Sequence, residues 1–104
     1  MKVIIIEDEK PSARRLQRML QTIGLEVECL LHSVEEAGKW FDENSHPDLI
    51  MLDIQLSDGL SFDIFEGRSI NSHIIFTTAF DEYALRAFKL NSIDYLLFNK
   101  YLEI

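Results

Sequence analysis

Five short apolar runs recur at intervals of about twenty residues: Val3–Ile6, Glu26–Leu31, Leu49–Leu52, Ile74–Thr77 and Ile93–Phe98. The first, third and fourth are continuously apolar, the pattern of strands covered on both faces in a parallel sheet. The stretches between them carry helical spacing. Pro11 suits a first helical turn, Leu16, Met19, Leu20 and Ile23 form one stripe, and Gly24 marks an end. Ser33 with Glu36 makes a capping box, opening a helix that buries Ala37, Trp40 and Phe41. Leu60 to Phe65 predicts a shorter third helix. Asp81 can cap a fourth, with Ala84, Leu85, Ala87 and Phe88 as its apolar face.

Strands alternating with helices imply right-handed crossovers and an α/β fold. The expected architecture is a doubly wound, five-stranded parallel sheet in the flavodoxin-like order 2-1-3-4-5. Ligands in such a fold bind beyond the carboxyl ends of the strands, where strands 1 and 3 diverge. The residues at that edge are acidic. The first strand ends in Glu7 and Asp8 and the third in Asp53, so three carboxylates converge on one crevice. Like charges that close repel unless a cation neutralises them, and a hard, oxygen-seeking ion such as Mg²⁺ suits the set. Singly, each acid has a blander use: Glu7 and Asp8 beside a helix dipole, Asp53 in a turn. Three together exceed what capping needs, and Asp58-Gly59 supplies a turn just beyond.

Composition narrows the class further. The 104 residues suffice for one domain with a core, 47% hydrophobic and 27% charged. A net charge of −8 would repel a phosphate backbone, so direct nucleic-acid binding by this chain is not expected. Cys29 is a lone cysteine in an alternating apolar stretch, expected to be a buried thiol in a reducing, cytoplasmic setting. No apolar run reaches membrane-span length, and the opening MKVIIIEDE lacks the make-up of a signal peptide. His32, His46 and His73 are scattered, without metal-ligand spacing, and surface or loop positions are expected. Arg14, Arg15 and Arg18 flank the first helix's apolar stripe, as a solvated basic face or a docking face for a partner. Trp40 is expected in the core.

The stretches VIIIEDE, PDLIMLDIQLSDG, IIFTTAFDEYALRAF and SIDYLL resemble the receiver domain of two-component response regulators. FTTAFDEYALRAF and NSIDYLL are similar to receivers that precede a LytTR-type DNA-binding domain. The resemblance covers nearly the whole chain. It implies that Asp53 accepts a phosphoryl group from a sensor histidine kinase, with Mg²⁺ held by Asp53, by Asp8 directly, by Glu7 through water and by the Gln55 backbone carbonyl. It further implies a switch in which the Thr78 hydroxyl moves, beside the small Ala79, and Tyr95 turns into the vacated space. The expected readout is homodimerisation through the face of the fourth helix and fifth strand. No small-molecule substrate and no membrane partner are implied.

Two competing functions remain at this point. A pseudo-receiver would act by protein contact alone. A Mg²⁺-dependent aspartyl phosphohydrolase would normally carry an acid two residues after its nucleophile, where Gln55 stands. The tail departs from the family pattern. DYLL should be followed by a lysine and a proline, but Phe98 and Asn99 occupy those places and Lys100 comes two residues late. Two residues preserve the strand face but shift the lysine about 6–7 Å along it, making Lys100 a displaced candidate for the usual lysine. A fifth helix and an output DNA-binding domain would follow residue 104 in the family. The chain is therefore expected to be a receiver domain (residues 1–104) ending after its fifth strand, with another surface covering the exposed sheet face.

Overall fold

The computed structural model describes residues 1–77. The expected fourth helix and the strand Ile93–Phe98 lie outside the described residues. Chain order is β1 (Val3–Ile6), α1 (Lys10–Thr22), β2 (Val27–Leu31), α2 (Val34–Glu43), β3 (Leu49–Leu52), β4 (Gln55–Leu56), β5 (Gly59–Leu60), α3 (Phe62–Phe65) and β6 (His73–Phe76). The main sheet is parallel in the order β2-β1-β3-β6, which is the 2-1-3-4 part of the expected arrangement. The short β4 and β5 form a separate antiparallel ribbon.

The sheet is apolar on both faces because helices cover both. Ile4, Ile6, Ile50, Leu52, Ile74 and Phe76 pack with Ala37, Phe41, Phe62 and Phe65 on the side of α2 and α3. The alternate residues Val3, Ile5 and Met51 pack with Ala13, Leu16 and Leu20 of α1. Strand periodicity of two therefore assigns neighbouring residues to opposite cores, which is why the runs are uniformly apolar.

Helix α1 differs in detail from its expected stripe. Ala13, Leu16 and Leu20 carry the buried face, Met19 is half-buried, and Ile23 is 71% exposed. The cause is the helix end. Ile23 has already left helical geometry, Gly24 adopts a positive φ of 89°, and two bonds close the terminus: Leu25 N–H to the Leu20 carbonyl (2.9 Å) and Gly24 N–H to the Gln21 carbonyl (3.0 Å). This is a Schellman arrangement, which turns Leu25 inward and leaves Ile23 outside.

At α2 the Ser33 hydroxyl accepts the Glu36 N–H at 3.0 Å, as the capping box predicts. The return leg lands one residue early: Glu36 Oε1 accepts the N–H of His32 at 2.6 Å. Phe41 is buried, but Trp40 is only half-buried, edge-on to Phe41 with ring centroids 5.3 Å apart and with Lys2 Nζ 5.6 Å from its ring. Lys2 and its charge need solvent, so the indole borders the core instead of entering it. Cys29 is likewise half-buried; desolvation, then Glu28 and Glu36, push its thiol up to about 11. Helix α3 is shorter than expected because Leu60 is taken up by the ribbon with β4.

Two of the polar ties between distant segments anchor α2. Arg68 grips Asp42 of α2 with Nε and Nη2, both at 3.0 Å, and its Nη1 reaches the Ile64 carbonyl at 2.7 Å. Gly38 leaves the space for it, since a Cβ there would stand 3.0 Å from Arg68 Nη2. The second tie comes from Asp58, whose carboxylate accepts the Val34 N–H at 2.8 Å and the Glu35 N–H at 3.1 Å. An acid from the turn between β4 and β5 thus caps the N-terminus of α2.

Ile50→Ala removes a fully buried side chain at the centre of the sheet and should cost about 2–5 kcal/mol of unfolding free energy, measured by urea denaturation. The hydrogen bonds from Val34 and Glu35 hold the Asp58 carboxyl below its ordinary value of 3.8. Its contribution is therefore present above pH 4 and lost as pH falls through the lowered folded value. Asp58→Ala should lower the melting temperature at pH 7, and the gap to wild type should close on acidification below about pH 4. A gap independent of pH would rule out the capping role.

Candidate functional site

The site lies where the sheet's carboxyl edge meets its switch in strand order. β1 is flanked by β2 and β3, and the chain leaving β1 goes to α1 on one face while the chain leaving β3 goes to α3 on the other, so the connections diverge above β1 and β3. Ladder hydrogen bonds continue one residue past the strands. Glu7 N–H donates to the Leu31 carbonyl and Asp53 N–H to the Ile6 carbonyl, both at 2.9 Å. Backbone pairing thereby sets the two acids side by side on adjacent strands.

Carboxylate oxygens of Glu7, Asp8 and Asp53 lie within 4.8 Å of one another. Glu7 is 2% exposed and Asp53 9%, while Asp8 is half-buried nearer solvent. Glu7 Oε1 accepts the Glu9 N–H at 3.2 Å, which turns its carboxylate across the start of α1. The expected convergence of the three acids is therefore present. The donor set fits a small hard cation: oxygens bound to one Mg²⁺ at 2.0–2.1 Å stand about 2.9 Å apart when adjacent and about 4.2 Å when opposite. Spacings up to 4.8 Å match direct ligation by some of the set and a water bridge for the rest.

Gln55, two residues beyond Asp53, is exposed and starts the β4–β5 ribbon. Ser61 N–H donates to the Ile54 carbonyl at 2.8 Å, closing the ribbon back toward β3. Thr78, Ala79, Tyr95 and Lys100 lie outside the described residues. The expected histidine placements hold: His46 and His73 are exposed and His32 is half-buried. Arg14, Arg15 and Arg18 are all exposed on α1.

Two partners of the site were not legible in the pattern. His32 Nδ1 lies 2.9 Å from the Glu7 carbonyl oxygen, so the residue after β2 braces the acid after β1. Asp58 looked like a turn residue beside Gly59, yet it ties the segment following Asp53 to α2. No local signal announces a cap whose helix lies 24 residues earlier in the chain.

Comparison with known proteins decides the family. The response regulator receiver domain model matches residues 3–99. The chain belongs to that family. It is similar to the sensory transduction protein LytT of Bacillus subtilis (strain 168), 35% identical over 101 residues, covering 92% of this chain and 41% of that protein. It is also 36% identical over 102 residues to the transcriptional regulatory protein BtsR of Salmonella typhimurium, covering 93% of this chain and 41% of the relative. The chain thus spans about two-fifths of the length of these curated relatives. Among solved structures, the response regulatory domain of mrkE from Klebsiella pneumoniae matches with a TM-score of 0.78 at 30% identity, covering 93% of this chain and 82% of that one. The response regulator TrrA of Thermotoga maritima in complex with Mg²⁺–BeF shares the fold, with a TM-score of 0.77 at 22% identity over 98% of this chain and 90% of that chain. A receiver is a module of two-component signalling. No described helix is long and apolar enough to cross a membrane.

Crowding of three acids predicts a specific trade. Asp8→Asn should raise the melting temperature in metal-free buffer by relieving like-charge repulsion, while shrinking the stabilisation produced by millimolar Mg²⁺. Equal Mg²⁺ shifts in variant and wild type would show that Asp8 takes no part in holding the ion.

Proposed function

We propose that this receiver is a phosphoacceptor switch, taking a phosphoryl group from a sensor histidine kinase onto Asp53 with Mg²⁺ as cofactor. The observation that carries the reading is the position of Asp53 at the end of β3, within 4.8 Å of Glu7 and Asp8, in a chain of receiver family. Asp8 would hold the ion directly with Asp53, Glu7 through water, and the Gln55 carbonyl would complete the protein's share. When bound, Mg²⁺ would offset the negative charge of the carboxylates and of the phosphoryl oxygens.

In the transfer, one Asp53 carboxylate oxygen attacks phosphorus and forms a new O–P bond. The P–N bond to the donor imidazole breaks, and its electron pair stays on that nitrogen, which takes up a proton. The ladder bond from Asp53 N–H to Ile6 fixes the backbone of the nucleophile, so attack needs only side-chain rotation. The absence of an acid at Gln55 removes the proton donor a phosphohydrolase would use on an alcohol leaving group, which favours a signalling domain over a classical enzyme.

Downstream, the Thr78 hydroxyl would bond the phosphoryl oxygens, with Ala79 leaving them room, and Tyr95 would turn into the space behind it. This is a two-state switch biased by local charge, read out as homodimerisation. The setting is the cytoplasm, and DNA binding belongs to an output domain outside this chain.

Asp53→Asn should abolish Mg²⁺-dependent labelling by acetyl phosphate, followed by intact-mass spectrometry, with the fold retained by circular dichroism. Labelling of the variant at the wild-type level would overturn the assignment.

A further inference from the structure

The row of ladder bonds at the sheet's carboxyl edge sets one more side chain beside the acids. Thr77 N–H donates to the Leu52 carbonyl at 2.9 Å, continuing β6 by one residue just as Glu7 continues β1 and Asp53 continues β3. Leu52 stands opposite Phe76 in the β3–β6 register, so Thr77 is the cross-strand neighbour of Asp53. Ile5, Met51 and Ile75 belong to the core on the α1 side. Glu7, Asp53 and Thr77 each follow those residues by two, which puts all three on that same side.

Thr77 is 2% exposed, and its Oγ1 has no hydrogen-bond partner among the described residues. A buried hydroxyl without an acceptor is costly, and valine would fill the same volume without that cost. Ser61 Oγ shares the condition but sits in the connection before α3, outside the row. Along the row, the group that lacks an acceptor stands on the strand beside the residue that would carry a phosphoryl group and its three oxygens.

We propose that the Thr77 hydroxyl is a phosphoryl-binding group, donating a hydrogen bond to an oxygen of the phosphoryl carried by Asp53. This rests on the phosphoacceptor reading above and adds a donor distinct from Thr78. The neighbouring strand lies about 4.8 Å away, and a phosphoryl on the Asp53 carboxylate fills that gap with oxygens. The hydroxyl then gains a charged acceptor, so the bond forms in the loaded state and biases the site toward it.

The test uses the 104-residue chain as wild type, Thr77→Val, Thr77→Ala and Thr77→Ser, with Asp53→Asn as the blank. Beryllium fluoride with Mg²⁺ is the phosphoryl stand-in, its affinity measured by calorimetry, and melting temperatures are recorded without either ligand. Thr77→Val should bind beryllium fluoride about tenfold more weakly, the scale of one hydrogen bond to a charged group, with Thr77→Ser close to wild type. Its ligand-free melting temperature should equal or exceed wild type, because an unpartnered hydroxyl has been replaced at constant shape. Undiminished affinity in Thr77→Val, or in Thr77→Ala if valine unfolds the chain, overturns the proposal. So does a loss that serine fails to rescue. If wild type neither binds beryllium fluoride nor is labelled at Asp53, the phosphoacceptor reading itself has failed and this donor falls with it.

Discussion

Three carboxylates sharing one corner of a protein is a constraint that every other part of this chain must tolerate. Glu7 and Asp53 are nearly buried and Asp8 is half-buried, so water can screen their repulsion only in part. Side-chain packing alone would let them drift apart. Backbone pairing prevents it, because each strand-ending acid donates its own N–H to a neighbouring strand. The parallel ladder is thus both the spine of the fold and the device that stores unfavourable charge at its edge.

The two cores make that ladder rigid. Residues of opposite parity in β1 and β3 commit to opposite helical layers, and a register slip would exchange whole sets of buried side chains. With about 1.5–3 kcal/mol from each fully buried aliphatic side chain, such a slip is far costlier than the repulsion it would relieve. Hydrophobic burial at a distance thus fixes the strands that carry the acids, and hydrogen bonds to nearby carboxylates brace the loops between them.

Much of this was legible in the sequence. Val3–Ile6 and Leu49–Leu52 are placed where their apolar runs predict, because strands buried on both faces have no polar positions to blur their ends. The meeting of Glu7, Asp8 and Asp53 follows from strand order alone. What escaped were features set by backbone geometry or by distant contacts. Ile23 fits the apolar spacing of α1, yet a terminus built on Gly24 turns it outward. Leu60 has helical company in sequence and joins a ribbon with Gln55. Thr77 resembles any other β-formed threonine until the register shows which residue stands beside it.

Asp58 closes a circuit that the separate contacts only suggest. From Glu7 the path runs through its carbonyl to His32, through the His32 N–H to Glu36, along the first turn of α2 to Asp58, and back by the ribbon to Asp53. The acidic corner is therefore hooped like a barrel. The first turn of α2 thus belongs to the same closed path as the acids at the sheet edge, although it touches none of them directly.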